Sequence, residues 1–374
     1  MKKIICFSIL LILCQILINA QHTFVFIGSY NYDKNKEGIY VYQLDTLTGS
    51  LTKVTSVKDV LNPSYFTLSR NGQFLFSCTD TRTPGNGSIS SYQFDAVSKT
   101  LTFINVQKTG GENPVYAALD KQEKHLLAAN YNDGSISVFP VLKDGSIAPK
   151  TQFIIYKDSS INKSRQTSSH IHAAVFSFDG QFVFLPDLGA DKIRTYEFDA
   201  TKEQPLQSIQ SPFTQSIPGS GPRHFIFHPN EKFAYCIEEL SGTISSYAYE
   251  KGKLNTIQRI ATHRKKHKQD FSSADIHISP DGKFLYASNR GDENNIAIFS
   301  IQTNGTLKMV GYQTTFGKTP RNFSMDATGK FLIVANQSTG TITVFKRNEI
   351  TGRLIKTGNE IKIENPTCVK IKRY

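Results

Sequence analysis

The sequence predicts an all-β protein, a single seven-bladed β-propeller with four antiparallel strands in each blade. Three observations support this fold. A strand–turn–strand unit recurs about every 50 residues, each copy continues into two further strands, and the C-terminal tail resembles the strand that the first copy lacks. No helical periodicity of any length and no interdomain linker follow residue 20. A length of 374 residues ordinarily suggests two domains, but repeat folds extend as one unit.

The recurring unit is an apolar strand, a polar turn that often contains Gly, and a second strand that opens with an aromatic residue, as at 65–76, 225–235 and 276–286. The residue that opens the second strand is called the marker, and other positions are numbered from it. The markers are Phe24, Phe74, His125, Phe182, Phe233, Phe284 and Phe331, with spacings of 50, 51, 57, 51, 51 and 47 residues.

Each unit continues with a third strand after Gly or a polar pair, as at 38–42, 87–92 and 134–139. A fourth strand follows a second Gly turn, as at 49–53 and 305–308. Four strands per repeat, lettered A to D outward from the axis, therefore make one blade.

The first unit begins with strand B, because Phe24 is preceded by no strand A of its own. The tail 365–371 has the Asn-Pro start of the strands A at Asn62-Pro63 and Asn113-Pro114. We therefore predict that the C-terminal strand completes the first blade and closes the ring, which removes exposed sheet edges.

Residues 1–20 are predicted to be a cleaved signal peptide, because Lys2 and Lys3 precede an apolar run at 4–18 and Ala20 precedes the cleavage point. An N-terminal membrane anchor is the alternative, but the run is short for a spanning helix. Residues 21–374 would then form an exported propeller without stable membrane insertion, periplasmic or extracellular. Without signal-peptide function the protein would be cytoplasmic.

The composition restricts the partners. Cleavage lowers the formal net charge from +12 to +10, which favours anionic ligands, but no aromatic–basic motif predicts nucleic-acid binding. Cys78, Cys236 and Cys368 remain after cleavage and are expected to be buried free thiols, since no Cys-x-x-Cys pair suggests zinc. We expect neither a metal nor another cofactor. The sequence makes no prediction of oligomeric state.

The hairpin of strands A and B brings the start of A and the end of B to one mouth of the axial channel. Position −10 should pair with about +5, so that −10 and +6 ring this mouth. Position −10 carries Ser64, Val115, His172, Arg223, Ala274 and Arg321. Position +6 carries Tyr30, Asp80, Tyr131, Leu188, Glu239, Arg290 and Gln337.

Blades that agree elsewhere differ at these two positions. His172, Arg223, Glu239, Arg290 and Arg321 fall in the fourth to seventh blades and should form one continuous arc. Three arginines with one acid leave positive charge for an anionic ligand, and a guanidinium binds carboxylate or phosphate through two hydrogen bonds. The alternative is that these charges are solvated, or pair with one another to hold the blades.

Three further residues are candidates for substrate binding. Tyr131 and Gln337 stand at +6 beside the arc. His224 directly follows Arg223 and would point away from it in a regular strand.

Two segments are similar to those of a known family, the propeller lactonases that include bacterial 6-phosphogluconolactonases and fungal carboxymuconate-lactonising enzymes. The specific one is Gly-Pro-Arg-His-x-x-Phe-His-Pro-Asn at 221–230, and the less specific one is 274–287. The resemblance covers nearly all of the chain after residue 20. It implies an active-site cleft that uses His172, Arg223, Glu239 and Arg290 as catalytic residues, with Arg321 added for binding.

The resemblance implies hydrolysis of a sugar-acid lactone such as 6-phosphogluconolactone, without metal. Glu239 or His172 would act as general base, and arginines would stabilise the oxyanion. The bacterial enzymes act in the cytoplasm, whereas this chain is predicted to be exported, so another acidic lactone is an alternative substrate. A non-catalytic propeller that binds an anion or a partner, and a muconate-type lactonising enzyme, are the other functions consistent with the sequence.

Overall fold

The computed structural model describes residues 21–80, 85–264, 266 and 271–374, and these form 28 β-strands without a helix. The first fourteen are β1 (Thr23–Ser29), β2 (Ile39–Leu44), β3 (Leu51–Val57), β4 (Pro63–Leu68), β5 (Phe74–Thr79), β6 (Ser88–Asp95), β7 (Thr100–Lys108), β8 (Pro114–Leu119), β9 (His125–Asn130), β10 (Ser135–Pro140), β11 (Gln152–Ile155), β12 (Val175–Phe176), β13 (Phe182–Asp187) and β14 (Lys192–Phe198). The others are β15 (Leu206–Gln215), β16 (Pro222–Phe227), β17 (Phe233–Glu238), β18 (Thr243–Glu250), β19 (Lys253–Ala261), β20 (Ser273–Ile278), β21 (Phe284–Asn289), β22 (Asn295–Ile301), β23 (Leu307–Thr314), β24 (Pro320–Met325), β25 (Phe331–Asn336), β26 (Thr341–Arg347), β27 (Leu354–Lys362) and β28 (Pro366–Arg373).

The strands form seven four-stranded antiparallel sheets, which confirms the predicted propeller. Blades 2 to 7 take consecutive groups of four strands, beginning with β4, β8, β12, β16, β20 and β24 at the axis. Blade 1 has the order β28-β1-β2-β3, so the C-terminal strand supplies its inner strand and the predicted closure is confirmed. Phe24 of β1 lies opposite Lys372 of β28 in an antiparallel ladder.

The marker residues open the second strand in six blades, and in blade 1 Phe24 is the second residue of β1. Their rings explain why Gly recurs in the outer turns. A Cβ at Gly305 of blade 6 would lie 2.4 Å from the Phe233 ring of blade 5, and Gly352 stands in the same relation to Phe284. The aromatic marker of one blade and the turn glycine of the next therefore form one contact between blades. The repeat keeps both residues because the turn has no room for a side chain larger than that of glycine.

The inner strands carry a β-bulge that the sequence did not predict. In blade 5, Pro222 at −11 pairs with Glu238 at +5, and the register then shifts before His224. The same shift occurs in blades 1, 2, 3, 6 and 7. The predicted pairing of −10 with +5 is therefore wrong by one residue. Position −10 is the bulged residue, and a bulge redirects a side chain.

Blade 4 departs from the repeat in its inner strand. β12 has two residues, and the bridge between Ile171 and Asp187 replaces the rest of its ladder. The extra residues of the 57-residue spacing belong to a segment before Ile171, and Arg165 of this segment lines the cavity described below.

The three cysteines after residue 20 are free and buried, as predicted, and burial raises the pKa of each thiol. No described helix is long and apolar enough to cross a membrane. The predicted signal peptide, 1–20, lies outside the described residues.

Candidate functional site

Charged side chains line a cavity of about 170 Å³ at the predicted channel mouth. The bulges direct Arg223 and Arg321 into it from position −10, His172 reaches it from the same position in blade 4, and Glu239 and Arg290 reach it from +6. These are the five residues of the predicted arc. Tyr131 lines the same cavity, and the remaining lining residues are Asn113, Val115 and Arg165.

Glu239 is at the centre of the charged cluster and is 4% exposed. Its Oε1 accepts a hydrogen bond from Arg165 Nη2 at 2.7 Å. Its Oε2 accepts from Arg223 Nε at 2.9 Å and forms an ion pair with Arg290 Nη2 at 3.1 Å. One carboxylate thus holds three guanidinium groups, from blade 5, blade 6 and the segment before blade 4.

The guanidinium charges determine the protonation of this cluster. Burial alone would raise the pKa of Glu239, but Arg290, Arg223 and Arg165 outweigh it and lower that pKa to about 2. Burial, together with the charges of Arg290 and Arg321, lowers the pKa of Arg223 to about 9, although Glu239 opposes this shift. At neutral pH the carboxylate is ionised and Arg223 is protonated.

Arg321 differs from the other three arginines. Among the described residues, no carboxylate lies within 4.0 Å of its side-chain nitrogens. Its Nη2 lies 3.4 Å from Tyr30 Oη, and its guanidinium carbon lies 5.5 Å from the centroid of the Tyr30 ring. Four arginines and one glutamate give the cavity excess positive charge. Arg321 is the arginine among them that does not pair directly with Glu239.

His172 is buried beside these cations. Burial, followed by the charges of Arg223, His224 and Arg321, holds its pKa well below the ordinary value, so the ring is neutral at neutral pH. Its ring packs edge-on against Tyr131 and His224, with centroids 5.3 and 5.2 Å away. Its Nδ1 is buried and makes no hydrogen bond within the described part of the chain.

His224 lies beneath Arg223 and does not point away, because the bulge breaks the alternation of side chains between the two. Its Nε2 lies 3.2 Å from Arg223 Nη1, and its Nδ1 lies 2.7 Å from Asp275 Oδ1. A guanidinium only donates, so Nε2 is the acceptor and Nδ1 carries the proton. Burial, followed by Arg223, lowers the pKa of His224 to about 4, which keeps this tautomer neutral.

Asp275 fixes the layer beneath the cavity. Its Oδ1 accepts from His224, and its Oδ2 accepts from Asn322 Nδ2 at 2.6 Å and from His277 Nε2 at 3.1 Å. Burial would raise the pKa of Asp275, but His277 and His224 lower it well below the ordinary range. Asn322 Oδ1 in turn accepts from Val369 N at 2.6 Å, so the network joins blades 5, 6, 7 and 1.

A layer of aromatic rings surrounds His224. Tyr65 and Tyr116 stack with centroids 4.4 Å apart, and the His224 ring meets both edge-on. Between this layer and the arginines lies a space of about 10 Å³, lined in part by His172 and Arg223. Such a volume is close to the least that holds one water molecule.

Six of the eight sequence-predicted residues line one cavity. His172, Glu239, Arg223, Arg290, Arg321 and Tyr131 line it, and His224 supports it from below. Gln337 lies at the same mouth but lines a neighbouring cavity beside blade 1. Arg165 and Asp275 were missed, although the long repeat spacing before blade 4 was a signal for an insertion that carries Arg165.

Across the described residues, no group of three or more His, Cys, Asp or Glu side chains is placed to hold a metal ion. The two histidine rings beside Asp275 both face its carboxylate through a ring nitrogen.

Comparison with known proteins gives consistent results. Residues 24–371 match the family model described as lactonase, 7-bladed beta-propeller. A 6-phosphogluconolactonase of Formosa agariphila is 39% identical over 94% of this chain and 99% of its own length, and one of Bacillus subtilis is 34% identical over 92% and 97%. The solved structure of a periplasmic gluconolactonase of Pseudomonas aeruginosa matches with a TM-score of 0.89 at 34% identity. The match covers 94% of this chain and 99% of that one.

The match extends over almost all of the described chain, and two relatives exceed 30% identity over nearly their full length. The chain therefore belongs to the seven-bladed β-propeller lactonase family.

Proposed function

We propose that this protein hydrolyses the lactone of a sugar acid. The observation that carries the proposal is the cavity at the channel mouth, where four arginines surround one glutamate beside a buried, neutral histidine. A purely structural ion-pair cluster would balance its charges, whereas this one keeps Arg321 without a carboxylate partner among the described residues. The names of the relatives, 6-phosphogluconolactonase and gluconolactonase, support the same reaction.

His172 is the general base in this proposal. Both carboxylate oxygens of Glu239 are engaged by arginines, and a pKa of about 2 makes it a weak base. His172 is neutral and has a ring nitrogen without a protein partner among the described residues. It takes a proton from water as the water oxygen attacks the lactone carbonyl carbon. When the ring C–O bond breaks, the same proton goes to the leaving oxygen, which becomes a hydroxyl group.

The arginines supply charge stabilisation. The tetrahedral intermediate carries an oxyanion, and Arg223 and Arg290 are held by Glu239 at the cavity wall where they can donate to it. Glu239 positions both guanidinium groups before substrate arrives. Arg321 then binds the phosphate of a phosphorylated lactone, or the carboxylate that hydrolysis creates in an unphosphorylated one.

The proposal includes two further points. The reaction runs without metal. His172 takes up and returns the proton, and the arginines stabilise the negative charge. The protein acts after export, since 1–20 resembles a signal peptide and a relative of known structure is named periplasmic. We therefore propose an unphosphorylated sugar-acid lactone as a substrate alongside 6-phosphogluconolactone.

The test is ring opening of pure lactones by the purified protein, followed as acid release above the spontaneous rate. 6-Phosphogluconolactone, glucono-1,5-lactone and carboxymuconolactone are compared, with a chelator in a parallel series. We expect hydrolysis of at least one sugar-acid lactone, unchanged by chelation, and a loss in kcat/KM of at least about a hundredfold in His172→Ala.

Two outcomes would contradict the proposal. Conversion of carboxymuconolactone alone would indicate a lactonising enzyme, and turnover of no lactone would indicate a binding propeller. Near-normal activity of the folded His172→Ala variant would contradict the assignment of His172 as the general base.

A further inference from the structure

A second cavity, of about 450 Å³, opens at the same mouth between blades 7 and 1. The side chains that give it its chemistry are Tyr30, Tyr32, Asp33, Lys36, Gln337 and Glu364. None of these was included in the catalytic cluster, and Gln337 was assigned to substrate binding from the sequence alone.

The two cavities adjoin. Arg321 lines the first, Tyr30 lines the second, and their side chains meet at 3.4 Å. The first cavity is smaller than the roughly 300–1,000 Å³ typical of small-molecule sites, while the second falls within that range. A ligand whose reacting end fills the first cavity therefore has room for a second ring next to it.

The charges of the two cavities differ in sign. The first has four arginines and one glutamate, whereas the second has Asp33 and Glu364 with Lys36 as its one cation. Lys36 Nζ is 3.1 Å from Glu364 Oε2, so that cation is already paired. The second cavity has a net negative charge, so it suits an uncharged occupant better than a phosphate or carboxylate.

The lining of the second cavity suits a polyhydroxylated ring. Carboxylate oxygens accept hydrogen bonds from hydroxyl groups, and the Gln337 amide both donates and accepts. Tyr30 and Tyr32 present aromatic rings with polar hydroxyl tips. Such a ring can pack on the apolar face of a sugar while the sugar hydroxyl groups stay solvated. Tyr32 is 66% exposed and lies at the rim of the cavity.

We propose that the second cavity binds the neutral glycosyl group of a glycosylated sugar-acid lactone, with the lactone ring in the arginine cavity. The inference rests on the proposed function and specifies its substrate class, an oligosaccharide-derived lactone. The positive cavity then receives the oxyanion and the carboxylate that hydrolysis creates, and the negative one receives the uncharged sugar.

The experiment compares cellobiono-1,5-lactone with glucono-1,5-lactone as substrates of the full-length protein. We expect kcat/KM to be at least about tenfold higher for the glycosylated lactone. Tyr32→Ala should abolish this preference without changing kcat/KM for gluconolactone, and Asp33→Asn should reduce it. Phe103→Ala removes an aromatic side chain of similar exposure, 53%, from the outer strand of blade 2 and should leave the preference intact.

Binding of the products separates this inference from the proposed function. Calorimetric titration with cellobionate and gluconate needs no turnover. Tighter binding of cellobionate that depends on Tyr32 would support the glycosyl site even if no lactone were hydrolysed. Equal kcat/KM values and equal affinities for the two sugars in the wild-type protein would overturn the glycosyl site while leaving lactone hydrolysis in place.

Discussion

Two adjacent glutamates of blade 5 have opposite surroundings. Glu238 is fully buried, and its carboxylate accepts from Arg259 Nε at 2.8 Å, from Ser245 Oγ at 3.0 Å and from the Thr243 hydroxyl. All three partners belong to its own blade. Glu239, the next residue, is held by arginines from blade 5, blade 6 and the segment before blade 4.

The difference shows how the propeller separates stability from function. Because side chains alternate along a strand, the Glu238 carboxylate points into the sheet, where neighbouring side chains donate hydrogen bonds to it. The Glu239 carboxylate points to the channel mouth. Glu238 needs one blade to complete its contacts. Glu239 needs blades 5 and 6 and the segment before blade 4, and its surroundings keep the excess positive charge that the proposed function assigns to substrate binding.

The largest expected effect is that of Glu239→Gln. The neutral amide no longer holds three guanidinium groups together, so the arginines lose the arrangement that stabilises the oxyanion. We expect kcat/KM for the lactone substrate to fall at least about a hundredfold, measured as acid release with the folded fraction determined by circular dichroism.

Glu238→Gln is the matched control for that loss. It removes a buried charge that pairs with Arg259, so the free energy of unfolding should fall by about 2 kcal/mol in urea titration. Activity of the folded protein should stay within about threefold of wild type. Equal losses of activity in the two variants would mean that general destabilisation, and not the channel mouth, explains the effect of Glu239→Gln.

A smaller effect is expected for Asp275→Asn, which acts through His224 on Arg223. Asp275 holds the proton on His224 Nδ1, and this leaves Nε2 free to accept from Arg223. An amide at position 275 can donate to Nδ1, which moves the ring proton to Nε2 and against the guanidinium. We expect kcat to fall about tenfold with KM nearly unchanged.

The readout for this positioning role is the ring of His224 itself. Nitrogen NMR of the histidines should show the Nδ1-protonated tautomer in wild type and its loss in Asp275→Asn. An unchanged tautomer together with lost activity would contradict the proposed route through His224.

The smallest effect expected is in the pH profile. The folded pKa of His172 is lowered, by burial and then by Arg223, so the neutral base persists as pH falls below the ordinary histidine value. Between about pH 7.5 and 5.5, kcat/KM should change less than about twofold, whereas a histidine of ordinary pKa would lose roughly tenfold activity near the acid end. An inflection at pH 6–7 would show that His172 is protonated there and contradict the assignment.

Much of the fold was predictable because the repeat is enforced by packing. Phe233 and Gly305 recur as a pair since the aromatic ring of one blade fills the space over the turn of the next. The spacing of the repeat therefore located the strands, and the strand A pattern of the C-terminal tail predicted the closure by β28. The arc was also predictable, because its charged residues at −10 stand out against Ser64, Val115 and Ala274 at the same position in other blades.

The remaining features depend on contacts that alternation does not encode. A regular strand would turn His224 away from Arg223, but the bulge at Arg223 brings both side chains to the channel. Arg165 lies in a segment without a repeat counterpart, so no register predicts its contact with Glu239. The roles of Glu239 and His172 as bases were left open by sequence, and the surrounding arginines distinguish them only once the blades are assembled.

The pairing of β28 with β1 also has a kinetic consequence. The other blades form from strands close in sequence, whereas Phe24 meets Lys372 across almost the whole chain. Contacts of such separation have a high loop-closure entropy and form late. Folding should therefore proceed from an open crescent of blades to a closed ring, with docking of the last strand as the slow step. Because Asn322 Oδ1 accepts from Val369 N, that step also completes the network beneath the arginines. The arginine cavity acquires its final form at the same moment as the ring.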